Sequence, residues 1–259
     1  REACAKWTSR RIGRTLDVER VTVPGGAMMG VQIALQCTCE PGDNVVIVSP
    51  MWPLIFQAAA GTGAEPRFVR LDGGANGEPW TLDLDRLFAA TDKRTKAIFI
   101  ASPSNPTGWI MSQDEQRAVL DFARKRGIAI ISDEVYTAIV YDTPAPSFAE
   151  IAEDDDEVFI INSFSKAWAM TGWRVGWMIH PRKLGPQLAE VVAYNNTGAA
   201  VFAQYGAIEA INKGDDFIKW QVREEMKALA LISACCSNDC NGEAYHTIGG
   251  QNSNNAIRV

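Results

Sequence analysis

Hydrophobic residues gather along this chain in short unbroken runs rather than in alternation. Val45-Val46-Ile47-Val48, Ala97-Ile98-Phe99-Ile100-Ala101, Ile128-Ala129-Ile130-Ile131-Ser132 and Val158-Phe159-Ile160-Ile161 are continuously apolar or nearly so, and rich in branched side chains. A strand with one wet face alternates, whereas a strand covered on both faces has no polar side to present. The runs therefore predict strands of a mostly parallel sheet. Between them the period becomes helical. Ser112 to Arg126 opens with Ser112 and Glu115 at capping-box spacing, sets Val119, Phe122 and Ala123 on one face and stops at Gly127. Asp83 to Ala90 spaces Leu84, Leu87 and Phe88 in the same way, and Gly26 to Cys39 reads as a helix closed by Pro41-Gly42-Asp43. Lys183 to about Ile211 and Phe217 to about Cys235 read helical. From Ser237 to Val259 Asn and Gly recur, and neither a helical nor a strand period is visible. Strands alternating with helices predict an α/β fold.

Composition narrows the function classes. The chain has 259 residues and a formal charge of −6, and 47% of its residues are hydrophobic. That length suits one large domain or two small ones, and a boundary is expected near residue 225. Mild acidity gives no electrostatic footprint for nucleic acid or an anionic membrane. The longest apolar stretch, Val21 to Cys37, is interrupted by Pro24, Gly25, Gly26, Gln32 and Gln36, so no membrane span is expected. No secretory leader pattern is present; the chain opens at Arg1 rather than Met, and its true beginning is expected upstream. Cys4, Cys37, Cys39, Cys235, Cys236 and Cys240 lack paired metal-ligand spacing, and the histidines are His180 and His246. A reducing, cytoplasmic setting without a metal site is the expectation. The run Glu153-Asp154-Asp155-Asp156-Glu157 reads as a solvated loop.

In an open α/β sheet, ligands sit beyond the carboxyl ends of the strands. The segments that follow the apolar runs are Ser49-Pro50-Met51-Trp52-Pro53, Ser102 to Gly108, Asp133-Glu134-Val135-Tyr136 and Asn162-Ser163-Phe164-Ser165-Lys166. With parallel strands, Trp52, Asn105, Asp133, Tyr136, Ser163 and Lys166 converge on one edge. An aromatic plate, an amide, a carboxylate, a phenol and an amine together suit a charged aromatic cofactor. Gly25-Gly26-Ala27-Met28 opens a helix, whose first N–H groups can receive a phosphate. It is neither a Walker loop nor the dinucleotide fingerprint. Singly, each residue has an ordinary role: Trp52 as a packing aromatic, Asn105 in a turn, Asp133 as a helix cap, Tyr136 reaching out of the core, Lys166 and Arg174 as solvated charges. Ser163-Phe164-Ser165-Lys166 also fits a Ser-x-x-Lys pattern, but the companion motifs of that serine-enzyme class are absent, and neither histidine lies beside a nucleophile elbow.

Taken in order from about Val21 to Glu225, the chain resembles the class I and II aminotransferases, fold-type-I pyridoxal-phosphate enzymes. The resemblance is carried by Ser104-Asn105-Pro106-Thr107-Gly108, Asp133-Glu134-Val135-Tyr136, Ser163-Phe164-Ser165-Lys166 and Thr171-Gly172-Trp173-Arg174-Val175-Gly176. It implies a three-layer sandwich around a mostly parallel sheet, with residues 1–225 as the large cofactor-binding domain. Residues 226–259 would begin a truncated or divergent small domain. It implies amino-group transfer between an amino acid and a 2-oxo acid, with Lys166 forming a Schiff base to pyridoxal 5′-phosphate and then shuttling a proton. Asp133 would face the pyridinium nitrogen, Asn105 and Tyr136 the phenolic oxygen, and Trp52 the ring face. Ser163, Ser165, Arg174 and the amides of Gly26, Ala27 and Met28 would hold the phosphate. A homodimer is implied as well. The same fold and cofactor also serve lyases, decarboxylases and acyl transferases, and a regulatory or impaired binding module is a further alternative.

The chain departs from the family at both ends. The family's substrate-carboxylate arginine lies beyond where the resemblance stops, and Arg258 has no matching motif around it. Gly249-Gly250 is followed by Gln251-Asn252-Ser253 where a glycine-aromatic stretch is expected. Cofactor binding with slow turnover is therefore the expectation for this chain.

Overall fold

The computed structural model describes residues 1–141 and 144–239. Its strands are β1 (Val21–Thr22), β2 (Asn44–Ser49), β3 (Glu65–Arg70), β4 (Thr95–Ala101), β5 (Ala129–Asp133), β6 (Val158–Ser163) and β7 (Gly176–Ile179). Its α-helices are α1 (Glu2–Ile12), α2 (Ala27–Thr38), α3 (Leu54–Gly61), α4 (Leu84–Ala89), α5 (Gln113–Arg126), α6 (Gly185–Asn196), α7 (Val201–Lys213) and α8 (Asp215–Asp239). The strands form one seven-stranded sheet in the order β1-β7-β6-β5-β4-β2-β3. From β3 to β6 every neighbouring pair is parallel, and β7 alone runs the other way, antiparallel to both β6 and β1.

The unbroken apolar runs are explained by two cores, one on each face of this sheet. Val45, Ile47, Phe99, Ile131, Phe159 and Ile161 pack with Val31 and Leu35 of α2, Ile55 of α3 and Leu188 of α6. Their neighbours in sequence, Val46, Ile98, Ile130, Val158 and Ile160, pack on the opposite face with Trp7 of α1, Leu87 of α4, Val119 of α5 and Ile218 of α8. Strand side chains point alternately up and down, so helices on both faces demand apolar residues at every position. This is the expected three-layer α/β arrangement.

Local signals held where they were chemical. Ser112 caps α5 through the Glu115 N–H at 3.3 Å, and Glu115 Oε2 accepts the Ser112 N–H at 2.7 Å; the helix ends at Gly127 in the left-handed region. The sequence pattern did not disclose β1, β3, β7, α1 or α3. The edge strand β3 carries Glu65 and Arg70 and leaves Phe68 exposed, so it lacks the two-faced burial signature. The expected helical span from Lys183 to Ile211 is two helices. Thr197 at φ 61° and Gly198 at φ 98° take left-handed conformations that end α6 before α7 begins.

The final helix also differs from expectation. It continues through Ser237 to Asp239, because each added residue of a formed helix gains a hydrogen bond without a new nucleation cost. It packs Ile218 and Val222 against the core and then leaves Met226 and Leu231 exposed. Cys240, His246, Gly249-Gly250 and Arg258 lie outside the described residues. Among the described residues no helix is long and apolar enough to cross a membrane.

Candidate functional site

A cavity of about 240 Å³ opens at the carboxyl edge of the sheet. Several of the elements that reach this edge deliver side chains to it. Trp52 follows β2, Asn105 follows β4, Asp133 ends β5, and Tyr136 closes the turn after it. Ser163 ends β6, with Ser165 and Lys166 in the next turn; Arg174 stands before the reversed strand β7, whose start lies at this same edge. Ala27 and Met28 form the first turn of α2. All of these line the one cavity.

Gly26 is the sequence candidate that does not line it. Its N–H is engaged by the Pro24 carbonyl at 2.8 Å, so that amide is not available to a phosphate as expected. Its contribution is room. It sits at φ 100°, and a Cβ there would lie 2.6 Å from Arg174 Nη2. Only glycine lets the guanidinium pass so close to the start of α2. Arg174 is further fixed by an Nη1–H bond to the Thr171 carbonyl at 2.9 Å. The first N–H groups of a helix have no partner within it, and they carry partial positive charge. A guanidinium and a helix N-terminus thus share one corner of the cavity, which makes it an anion site.

Elsewhere in the lining the polarity reverses. Asp133 accepts a 3.3 Å hydrogen bond from the Val135 N–H. Burial pushes its carboxyl up to about 6, against which the Val135 N–H and the Lys166 charge pull down. A carboxylate held in a poorly solvated place is stabilised by a cationic partner, such as a protonated ring nitrogen. Lys166 Nζ stands 5.5 Å from the centre of the Tyr136 ring, and Asn105 Nδ2 donates to the Tyr136 hydroxyl at 3.4 Å. Ser163 Oγ accepts the Ser165 N–H at 3.1 Å. Trp52 is 48% exposed, a large flat face left uncovered at the cavity mouth. The lining holds an anion site, apolar walls, an amine and a carboxylate, the groups that a phosphate, a pyridine ring, an aldehyde and a ring nitrogen would need. The donor set therefore fits pyridoxal phosphate.

Phe99, Ala101, Ile55, Pro103, Val135 and Thr171 line the same cavity and were not singled out from sequence. Phe99 and Ala101 belong to an apolar strand and look like core; only their nearness to the strand end hints otherwise. Thr171 lies inside the quoted Thr-Gly-Trp-Arg-Val-Gly stretch and gave a usable signal. Its Oγ1 donates to the Ser165 carbonyl at 3.0 Å, closing the loop between Lys166 and Arg174.

Known proteins resemble the chain in sequence and in fold. The family model described as aminotransferase class I and II matches residues 1–239. An aspartate aminotransferase of Thermotoga maritima is 30% identical over 224 residues, covering 86% of this chain and 59% of that protein. An LL-diaminopimelate aminotransferase of Desulforudis audaxviator is 34% identical over 221 residues, covering 85% of this chain and 56% of that protein. The crystal structure of the Thermotoga maritima aspartate aminotransferase superposes with a TM-score of 0.84 at 27% identity, covering 92% of this chain and 62% of that one. The N-succinyldiaminopimelate aminotransferase of Mycobacterium tuberculosis gives 0.83 at 28% identity, with the same coverage. The chain spans a little over half the length of these curated relatives.

Proposed function

The chain belongs to the class I and II aminotransferases, whose members depend on pyridoxal phosphate, and from that premise we propose that it carries amino groups between an amino acid and a 2-oxo acid. The observation that carries the reading is the single cavity joining Lys166, Asp133, Tyr136, Asn105 and Arg174. When bound, the cofactor supplies an electrophilic aldehyde and a ring that draws electrons from the substrate α-carbon. Lys166 Nζ would be the amine that holds the cofactor through its aldehyde, and it is the group that would move a proton at the substrate α-carbon. Asp133 holds the proton on the ring nitrogen. Asn105 and Tyr136 bind the phenolic oxygen, and Trp52 covers one ring face.

Arg174, Ser163, Ser165 and the amides of Ala27 and Met28 anchor the phosphate, with Gly26 leaving space for the guanidinium. Residues 1–225 form the cofactor-binding domain in this reading, and 226–259 begin a second domain. A second copy of the chain completes the site as a homodimer.

The test is to add pyridoxal phosphate, follow the visible spectrum, reduce with borohydride and map the modified lysine. Label at Lys166 supports the reading, and label elsewhere or nowhere ends it. Stoichiometric consumption of a 2-oxo acid with the amino donor separates transfer from lyase, decarboxylase or acyl-transfer chemistry.

A further inference from the structure

Sheet alternation sends the adjacent carboxylates Asp133 and Glu134 to opposite sides. Asp133 faces the cofactor cavity. Glu134 is 2% exposed and lines a separate cavity of about 160 Å³ on the other side, together with Thr8 and Arg11 of α1. We propose that Glu134 is a positioning residue for the cofactor site, fixing from behind the turn that presents Asp133 and Tyr136. The proposal rests on the reading given under Proposed function.

The hydrogen bonds of Glu134 converge on that role. Its Oε1 accepts from Ser132 Oγ and from the Phe148 N–H, each at 3.1 Å, and its Oε2 accepts from Ser147 Oγ at 2.6 Å. Its N–H donates to the Ile161 carbonyl of β6 at 2.8 Å, and its carbonyl accepts from Thr137 N–H and Oγ1 at 3.1 and 2.9 Å. One residue thus joins β5, β6, the turn ending at Tyr136 and the segment around Ser147. That segment is itself anchored. Gln116 Nε2 of α5 donates to the Pro146 carbonyl at 3.2 Å, Gln113 Nε2 to Glu150 at 2.7 Å, and Arg14 Nη2 to the Ala149 carbonyl at 2.6 Å.

Asp133 needs such a brace. The Val135 N–H, at 3.3 Å, is the one hydrogen bond described for its carboxylate, so its aim follows the backbone of the turn. Burial pushes the Glu134 carboxyl up to about 7, and the bonds from Ser147, Phe148 and Ser132 pull it back. A buried acid is costly to hold, and three donors to one carboxylate offset that cost only in this geometry.

The experiment uses the full chain with pyridoxal phosphate. Glu134→Ala should weaken cofactor binding at least tenfold and shift the pH profile of the bound-cofactor spectrum toward that of Asp133→Asn. Glu134→Gln keeps an acceptor for Phe148 and Ser132 and a donor for Ser147, so it should restore binding to within threefold of wild type. In an Asp133→Asn background, Glu134→Ala should add less than threefold. An equal loss in both backgrounds assigns Glu134 a general structural role and overturns the proposal, as does unchanged binding in Glu134→Ala. If Glu134→Ala fails to fold, Ser147→Ala decides: a spectral shift in the same direction supports the brace, and an unaltered profile overturns it. Label at Lys166 in wild type with indifferent Glu134 variants sinks this proposal alone, whereas no label at Lys166 sinks the reading beneath it.

Discussion

The carboxyl edge of the sheet and the outer face of α6 and α7 use the same scaffold and end differently. At the edge, Asp133, Tyr136, Lys166 and Arg174 meet around one cavity within a single chain. On the outer face, Tyr194, Phe202 and Tyr205 remain 90%, 77% and 70% exposed. Polar groups do their work by aiming into a shared space, which one chain can build. Aromatic side chains gain only when another surface removes them from water. The regions touch at Trp173, beside Arg174, which lies against α7 so closely that a Cβ on Gly206 would sit 2.6 Å from its ring. The difference teaches that side chains from distant parts of one chain already meet at the cavity, whereas the aromatics of α6 and α7 stay uncovered among the described residues.

The sharpest break of that comparison is at Lys166. Lys166→Ala should abolish borohydride-fixed label and lower amino transfer by about a thousandfold, measured by coupled 2-oxo-acid assay, with the fold intact. Next is Phe99, fully buried and yet part of the cavity wall. Phe99→Ala should cost about 3 kcal/mol or more in urea unfolding. Third, Arg174→Lys should weaken pyridoxal phosphate binding about tenfold, because an ammonium cannot meet a phosphate in the two-pronged geometry of a guanidinium.

The Asp133 effect is smaller near neutrality and grows with acid. Its carboxyl is pushed up to about 6, so below that pH it is neutral and pairs poorly with a ring cation. Cofactor affinity should fall by up to about one decade per pH unit below 6, and Asp133→Asn should remove this dependence in a spectroscopic titration. The sign for the cofactor-free fold is opposite. A carboxyl raised from 3.8 favours the folded state while protonated, and that contribution is lost as pH rises from about 4 through 6. The smallest effect is on the outer face. Tyr205→Ser should weaken self-association by about 1 kcal/mol in sedimentation experiments.

Legibility along the chain followed burial. The runs at β2, β4, β5 and β6 were visible because both faces are covered, and the α5 caps because they are local chemistry. The strand β3 stayed hidden because an edge strand tolerates Glu65, Arg67 and Arg70. The break between α6 and α7 stayed hidden because Thr197 is an unusual residue for a left-handed turn. Within the site, Lys166, Asp133 and Arg174 could be named from motif and strand position. The brace at Glu134 could not, since its partners Ser147 and Phe148 are distant in sequence and neutral in character.

The sequence by itself determined which side chains the protein brings to its cofactor edge, because strand ends and the turns after them are set by short-range pattern. Only the tertiary structure decided which neighbour of a pair faces the cavity, which glycine is there for room rather than for its amide, and which aromatics stay wet. Those outcomes depend on contacts between residues far apart in the chain, and a linear pattern carries no record of distance in space.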